Sequence, residues 1–421
     1  MSAAESVPAT CLGCGCACDD ITLEVREGRI VAARQACALG AAWFGDGVLP
    51  ARALVDGRAV TVPDALDEAA RVLGGAARPL VYLAPHLTCE AQRECVGLGD
   101  AIGATVDSAT SSGALPGLLA AQEMGRVSAT LAEVRYRADL VVFWAVDPAV
   151  RYPRFVERYL DAPLPDGRPR RLLAVDVGEA RGPDTLADRL WLAPADEVTV
   201  LMQATAGVGP LAARLGEATC VAVIVDGEPD GPEAGVREAG TPVRAPSAQA
   251  PSPQGLRTRG LLALTRSLHD TRRAALVTLR AGGNVNGADA CLTWQTGYPA
   301  AVDLARGTPR YRPCDGRAVD RLRSGRVDVA LVAGGAAQVP ADVAARLSPT
   351  TRIFIGPGVS ASPLAAGAHV VVDTGVPGVH EAGTALRLDD VPLPLRAVLP
   401  GPPSTAATAR ALRLRLSGGW R

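Results

Sequence analysis

Cys11-Leu-Gly-Cys14-Gly-Cys16-Ala-Cys18-Asp-Asp-Ile21, followed by Cys37, is the stretch from which the rest of the chain is read. Thiols this closely spaced, in a sequence with no export signal, point to metal ligation rather than to disulfides. The residues between Cys18 and Cys37 read as two strands, 21–25 and 29–33, turning at Glu27-Gly28. A hairpin returns its far end to its start, so Cys37 reaches the loop that carries Cys11, Cys14 and Cys18. Four thiolates around one point suit a [4Fe–4S] cluster. A structural zinc ion, or an inherited site no longer filled, are the alternatives; zinc more often takes its second cysteine pair as another tight knuckle. Cys16 is a fifth thiol in the same loop and forms no obvious ligand set with the others.

The composition narrows the remaining possibilities. With 421 residues the chain can bury two or three cores. A formal net charge of −1 gives no attraction for nucleic acid or an anionic membrane. No apolar run approaches the roughly 20 residues of a membrane span, and the first ten residues lack a secretion signal, so a cytoplasmic protein is expected. Every basic side chain other than histidine is arginine. Without lysine there is no Schiff base and no lysine-bearing phosphate loop. Zinc-protease and nucleophile-elbow motifs are absent, and the histidines are His86, His269, His369 and His380.

Beyond the cysteine lobe, helical and strand patterns alternate. Helices are expected at 63–77, 88–102 (capped by Thr88), 129–138, 153–160, 257–268 and 341–347. Strands are expected at 79–83, 105–107, 139–146, 171–177, 274–279, 327–332 and 352–355. That rhythm predicts a doubly wound α/β fold. Three domains follow: a cysteine lobe at 1–52, an α/β domain at 53–205, and a second at 206–421 with a Pro- and Gly-rich connection near 228–255.

Parallel sheets bind ligands in loops beyond the carboxyl ends of their strands. The loops at 84–86, 107–117 and 281–287 are the candidates. In the last, Gly282-Gly-Asn284-Val-Asn286-Gly allows close approach of backbone, and Asn284 and Asn286 offer amides to a cofactor. Cys89 and Cys95 read as small hydrophobes on one helix, with Cys89 in its first turn, where the dipole lowers a thiol pKa. Cys220 reads as core. Thr293–Tyr311 is dense in Trp, Tyr, Arg and Gly and reads either as a packed loop or as a surface for a partner or cofactor.

The lobe, Cys11-Leu-Gly-Cys-Gly-Cys-Ala-Cys-Asp-Asp-Ile with Ala36-Cys-Ala-Leu-Gly, resembles the amino-terminal lobe of the molybdopterin oxidoreductases. More narrowly it resembles the B-type subunit of formylmethanofuran dehydrogenase. Thr293-Trp-Gln-Thr-Gly-Tyr-Pro, Ala301-Val-Asp, Gly307-Thr-Pro-Arg-Tyr, Arg137-Ala-Asp-Leu-Val-Val-Phe-Trp and Glu381-Ala-Gly-Thr-Ala-Leu-Arg-Leu-Asp are similar to that family too. The resemblance implies a molybdopterin-oxidoreductase-like fold and a [4Fe–4S] cluster on Cys11, Cys14, Cys18 and Cys37. In the family's dehydrogenases a cysteine or selenocysteine ligates tungsten or molybdenum held on two pterin dinucleotides. The matching loop here, Ser108–Gly117, has neither cysteine nor histidine, and Gly113 stands about where that thiolate belongs. Loss of a soft thiolate changes the metal's electronics and potential, which argues against the pterin-bound metal and against carbon dioxide reduction here.

A branch of the family fits this departure, the formyltransferase/hydrolase complexes of methylotrophic bacteria. They move a formyl group from tetrahydromethanopterin to a furan carrier and hydrolyse it to formate. Membership would make this chain a non-redox B-type subunit with no catalytic residues of its own, supporting hydrolase, transferase and C-type partner subunits. The competing expectation is an active tungsten or molybdenum formylmethanofuran dehydrogenase subunit with oxygen ligation by Ser111 or Ser112. A third is a cluster-bearing electron-transfer or binding module with an unrelated substrate.

Overall fold

The computed structural model describes residues 4–228 and 252–418, which places most of the expected connection near 228–255 outside the described residues. The chain forms two compact units, one of Met1–Ser112, Ala281–Arg387 and Pro392–Arg421, the other of Gly113–Arg280 and Leu388–Val391.

The first unit begins with strands β1 (Glu5–Ala9), β2 (Ile21–Arg26), β3 (Arg29–Arg34), β4 (Ala53–Val55), β5 (Arg58–Ala59), β6 (Pro79–Leu83) and β7 (Thr105–Ser108). The second unit holds β8 (Leu140–Trp144), β9 (Arg171–Val177), β10 (Arg189–Leu192), β11 (Cys220–Asp226) and β12 (Arg273–Leu279). The chain then returns to the first unit for β13 (Val302–Asp303), β14 (Arg310–Tyr311), β15 (Val329–Ala333), β16 (Thr351–Pro357), β17 (Val370–Thr374), β18 (Gly383–Leu386) and β19 (Pro392–Leu395).

β1, β2 and β3 form the antiparallel lobe sheet, and Glu27 and Gly28 make its turn with φ of 50° and 73°. Two successive positive φ values match the twist of a tight hairpin. The large sheet runs β14-β13-β7-β6-β15-β16-β17-β4-β5, and its middle five strands are parallel. Alternate residues of those strands serve opposite faces: Val81, Leu83, Leu331 and Ile353 enter one core, Leu80, Tyr82, Val332 and Phe354 the other. Burial on both faces explains why these strands read as continuous apolar runs.

The second unit is an all-parallel sheet, β10-β9-β8-β11-β12. Valine dominates one of its faces: Val142, Val175 and Val223 pack with Leu201, Leu211 and Leu261. The strand order reverses between β8 and β11, as in doubly wound folds. The boundary expected at 205/206 differs from what is seen, because β8 pairs with β11 and β6 with β15 across it. Strands distant in sequence share each sheet, so a linear division of the chain cannot match the units. Among the described residues no helix is long and apolar enough to cross a membrane.

Candidate functional site

The lobe hairpin delivers Cys37 to the amino end of the Ala38–Phe44 helix, where it is the N-cap. In the loop opposite, the Cys11 amide donates to Cys18 O at 2.9 Å and the Ala17 amide to Cys14 O at 3.2 Å, folding the loop back on itself. The Gly13 amide donates to Cys11 Sγ at 3.3 Å. Burial pushes the Cys11 thiol up to about 12; the Gly13 amide opposes this, while Cys14, Cys18 and Cys37 add to it. Those three and Cys11 are the expected ligand set. A Cβ at Gly40 would stand 3.2 Å from Cys11 Sγ, and one at Gly13 would collide with Leu39 O, so small residues leave room around the sulfur. The donor set and the amide suit a thiolate-bound metal. Among the described residues, no three His, Cys, Asp or Glu side chains are arranged to hold a metal ion as they stand.

Gly282 and Gly283 lie directly behind this loop. The Gly283 amide donates to Leu12 O at 2.8 Å, and Gly283 O accepts from the His86 amide at 2.7 Å. A Cβ on Gly282 would sit 2.8 Å from Cys14 Cα, and one on Gly283 would strike Pro85 and His86. Here glycine is required by close approach. His86 itself adopts φ of 73°, with its ring edge-on to Trp43 at 4.5 Å. Burial holds its pKa down at about 4, so the imidazole is neutral near pH 7. The sequence marks the 84–86 loop but carries no sign of this backbone geometry.

The two asparagines behave differently from expectation. Asn284 is 4% exposed, with φ of 64°, and opens the Val285–Thr296 helix. Its Nδ2 donates to Leu87 O at 2.8 Å and to Cys89 Sγ at 3.6 Å, and its Oδ1 accepts from the Leu386 amide at 2.8 Å. The carboxamide therefore serves the fold, whereas the loop reading presents it to a cofactor. Asn286 lies within the first turn of that helix rather than in a loop, and its Nδ2 donates to Arg387 O at 3.2 Å. Ser111 donates to Asp107, which is fully buried at the end of β7 and also accepts from the amides of Ala301 at 3.0 Å and Ala318 at 2.6 Å. Burial raises the Asp107 pKa against these hydrogen bonds.

In the second unit, the carboxyl ends of β8 and β11 flank the reversal of strand order, where open α/β sheets place ligands. Four charged side chains occupy that position. Arg151 Nη1 meets Asp226 Oδ2 at 2.9 Å and Glu228 O at 3.2 Å, and Arg280 Nε meets Glu228 Oε1 at 2.7 Å. Glu228 is 9% exposed and Arg280 8%. Burial raises the Asp226 pKa, and Arg151 opposes the rise. Glu228 also lies over Gly113, whose Cβ, if present, would be 3.3 Å from Glu228 Cγ. The sequence singles out Gly113 but carries no signal of what covers it.

Fold and lobe together define the class: a mixed α/β protein built on largely parallel sheets, with a small cysteine-bearing lobe at its amino terminus. More particularly, the chain is similar along 96% of its length to the B-type subunit of tungsten-containing formylmethanofuran dehydrogenase 2 of Methanocaldococcus jannaschii, with 29% identity over 432 residues and 96% of that protein covered. The protein of the same name from Methanococcus maripaludis is 29% identical over 437 residues, again covering 96% of each chain. In fold it matches a chain of the crystal structure of the formyltransferase/hydrolase complex FhcABCD from Methylorubrum extorquens in complex with methylofuran. That match has a TM-score of 0.71 and 22% identity over 87% of this chain and 99% of the other. No protein-family model matches the chain.

Proposed function

We propose that the chain is a non-redox B-type subunit of a formyltransferase/hydrolase complex in tetrahydromethanopterin-linked one-carbon metabolism. It supports hydrolase, transferase and C-type partner subunits and carries no catalytic residue of its own. The observation that carries this reading is the contact between Glu228 and Gly113. The resemblance assigns the metal thiolate to that position, and here a glycine lies against the Cβ and Cγ of Glu228, whose carboxylate is held by Arg280. Of Ser111 and Ser112, the oxygen ligands that a dehydrogenase would need instead, Ser111 already donates to Asp107. The likeness in fold to a chain of the FhcABCD complex supports the choice of partners.

In this reading Cys11, Cys14, Cys18 and Cys37 would hold a [4Fe–4S] cluster. When bound, the cluster cross-links a small lobe and contributes folding free energy. The chain's own residues position the loop: the Gly13 amide steadies Cys11 Sγ, and the hairpin brings up Cys37.

The names of the two archaeal relatives favour a second reading, an active tungsten or molybdenum dehydrogenase subunit. Elemental analysis of the complex, purified natively without oxygen, separates the two. The expected result is about four iron atoms per chain with neither heavy metal, and formate release without viologen-linked turnover. Stoichiometric tungsten or molybdenum overturns the proposal.

A further inference from the structure

Cys89 and Cys291 are far apart in sequence and adjacent in the first unit. Cys89 is the first residue of the Cys89–Ala101 helix, whose N-cap is Thr88. Cys291 lies in the middle of the Val285–Thr296 helix. They pack together with Leu386, at 4% and 0% exposure. Cys291 Sγ donates to Cys89 O at 3.4 Å, and Asn284 Nδ2 donates to Cys89 Sγ at 3.6 Å. Neither belongs to the cysteine lobe, and the proposed function uses neither.

We propose that Cys89 and Cys291 form a dithiol oxidation site that a small hydroperoxide converts to a disulfide joining the two helices. The surroundings divide the labour between the sulfurs. Cys89 Sγ receives a hydrogen bond from Asn284 Nδ2 and sits in the first turn of its helix, an arrangement that favours a thiolate. The neighbouring Cys291 thiol is the largest influence lowering the Cys89 pKa, and the proximity of Cys89, with burial, raises that of Cys291. Cys89 is therefore the nucleophile and Cys291 the resolving thiol.

The Cys89 thiolate attacks the peroxide oxygen, the O–O bond breaks, and an alkoxide or hydroxide leaves and takes up a proton. Cys89 becomes a sulfenic acid. Cys291 sulfur then attacks Cys89 sulfur, the S–O bond breaks and water leaves. Two thiols lose two electrons, and the peroxide is reduced to an alcohol or water, and water. Burial excludes large oxidants, so the site takes hydrogen peroxide or a short alkyl hydroperoxide. Cys95 lies on the same helix, but burial pushes its thiol up to about 12, so it stays reduced. The disulfide would fasten the two helices that Asn284 already bridges, immediately beside the 281–287 loop.

The test treats the purified complex with hydrogen peroxide, quenches, unfolds it in alkylating agent and maps peptides without reduction. The expected result is one cross-linked pair, Cys89 with Cys291, with Cys95 alkylated, and reversal by dithiothreitol. In Cys291→Ala, Cys89 is instead trapped as a sulfenic acid by a cyclic 1,3-dione, and Cys89→Ala leaves Cys291 unmodified. The wild-type map alone decides the matter if either variant misfolds. Full alkylation of both thiols while the exposed Cys314 is oxidised overturns the proposal, as does linkage of Cys89 to any other cysteine.

Discussion

Glu228 lies across the α-carbon of Gly113, so that a Cβ at position 113 would stand 3.3 Å from Glu228 Cγ and 3.4 Å from its Cβ. Such distances require the Glu228 side chain to give by a few tenths of an ångström, yet it is held by Arg280 and, through its carbonyl, by Arg151. Gly113→Cys should therefore destabilise the protein by about 1–2 kcal/mol, the usual cost of overpacking. The same substitution in a Glu228→Ala background should cost measurably less, giving a coupling term in a thermal or denaturant double-mutant cycle. Additive effects would disprove the contact, and viologen-linked turnover by Gly113→Cys would disprove the non-redox reading.

Much of the first unit is legible in the sequence because local signals agree with the tertiary result. β6 occupies the expected Pro79–Leu83, and the Thr88 hydroxyl caps its helix by accepting from the Ala91 amide at 3.1 Å. The Val285–Thr296 helix is hidden, because Gly283, Asn284 and Gly287 look like a turn. Its N-cap is a left-handed asparagine with no side-chain cap bond, so no usual start signal marks it. The lobe hairpin is legible because its alternating strands and its Glu27-Gly28 turn are local signals, and β2 and β3 pair about that turn as expected. Gly113 and Glu228 meet only through the fold of the second unit, and no local pattern encodes such a pair.

Asn284 gives a prediction about the same hidden helix start. Truncation in Asn284→Ala leaves Leu87 O and the Leu386 amide buried without their partner, and should cost about 2–4 kcal/mol. Its φ of 64° adds strain for alanine, so Asn284→Gly should recover about 1 kcal/mol relative to alanine. Chemical denaturation measures both. Equal stability of the alanine and glycine variants would contradict the left-handed assignment.

His86 supplies a pH dependence. Its pKa falls from 6.5 to about 4 in the fold because burial disfavours the imidazolium. The folded state thus binds the proton more weakly than the unfolded chain. The associated stability is fully present above pH 6.5 and is lost as pH falls toward 4, by about 3 kcal/mol in all. Asparagine tolerates the positive φ and carries no titrating group. His86→Asn should flatten the melting temperature between pH 6.5 and 4 relative to wild type, and an unchanged slope would show that the ring is hydrated.

The cysteine lobe distinguishes a structural from a redox role. Leu12, Ile21, Leu23, Ile30 and Phe44 supply its few large buried side chains, so a bound cluster or ion would contribute substantially to its folding. Cys14→Ser removes one of the four proposed ligands. If the metal only fastens the lobe, the yield of assembled complex should fall and its melting temperature drop, while the fraction that assembles releases formate at the wild-type rate per complex. Size-exclusion recovery paired with a formate assay on the assembled peak reads both quantities. Normal assembly with complete loss of formate release would place electron transfer through the lobe on the reaction path and defeat the structural role.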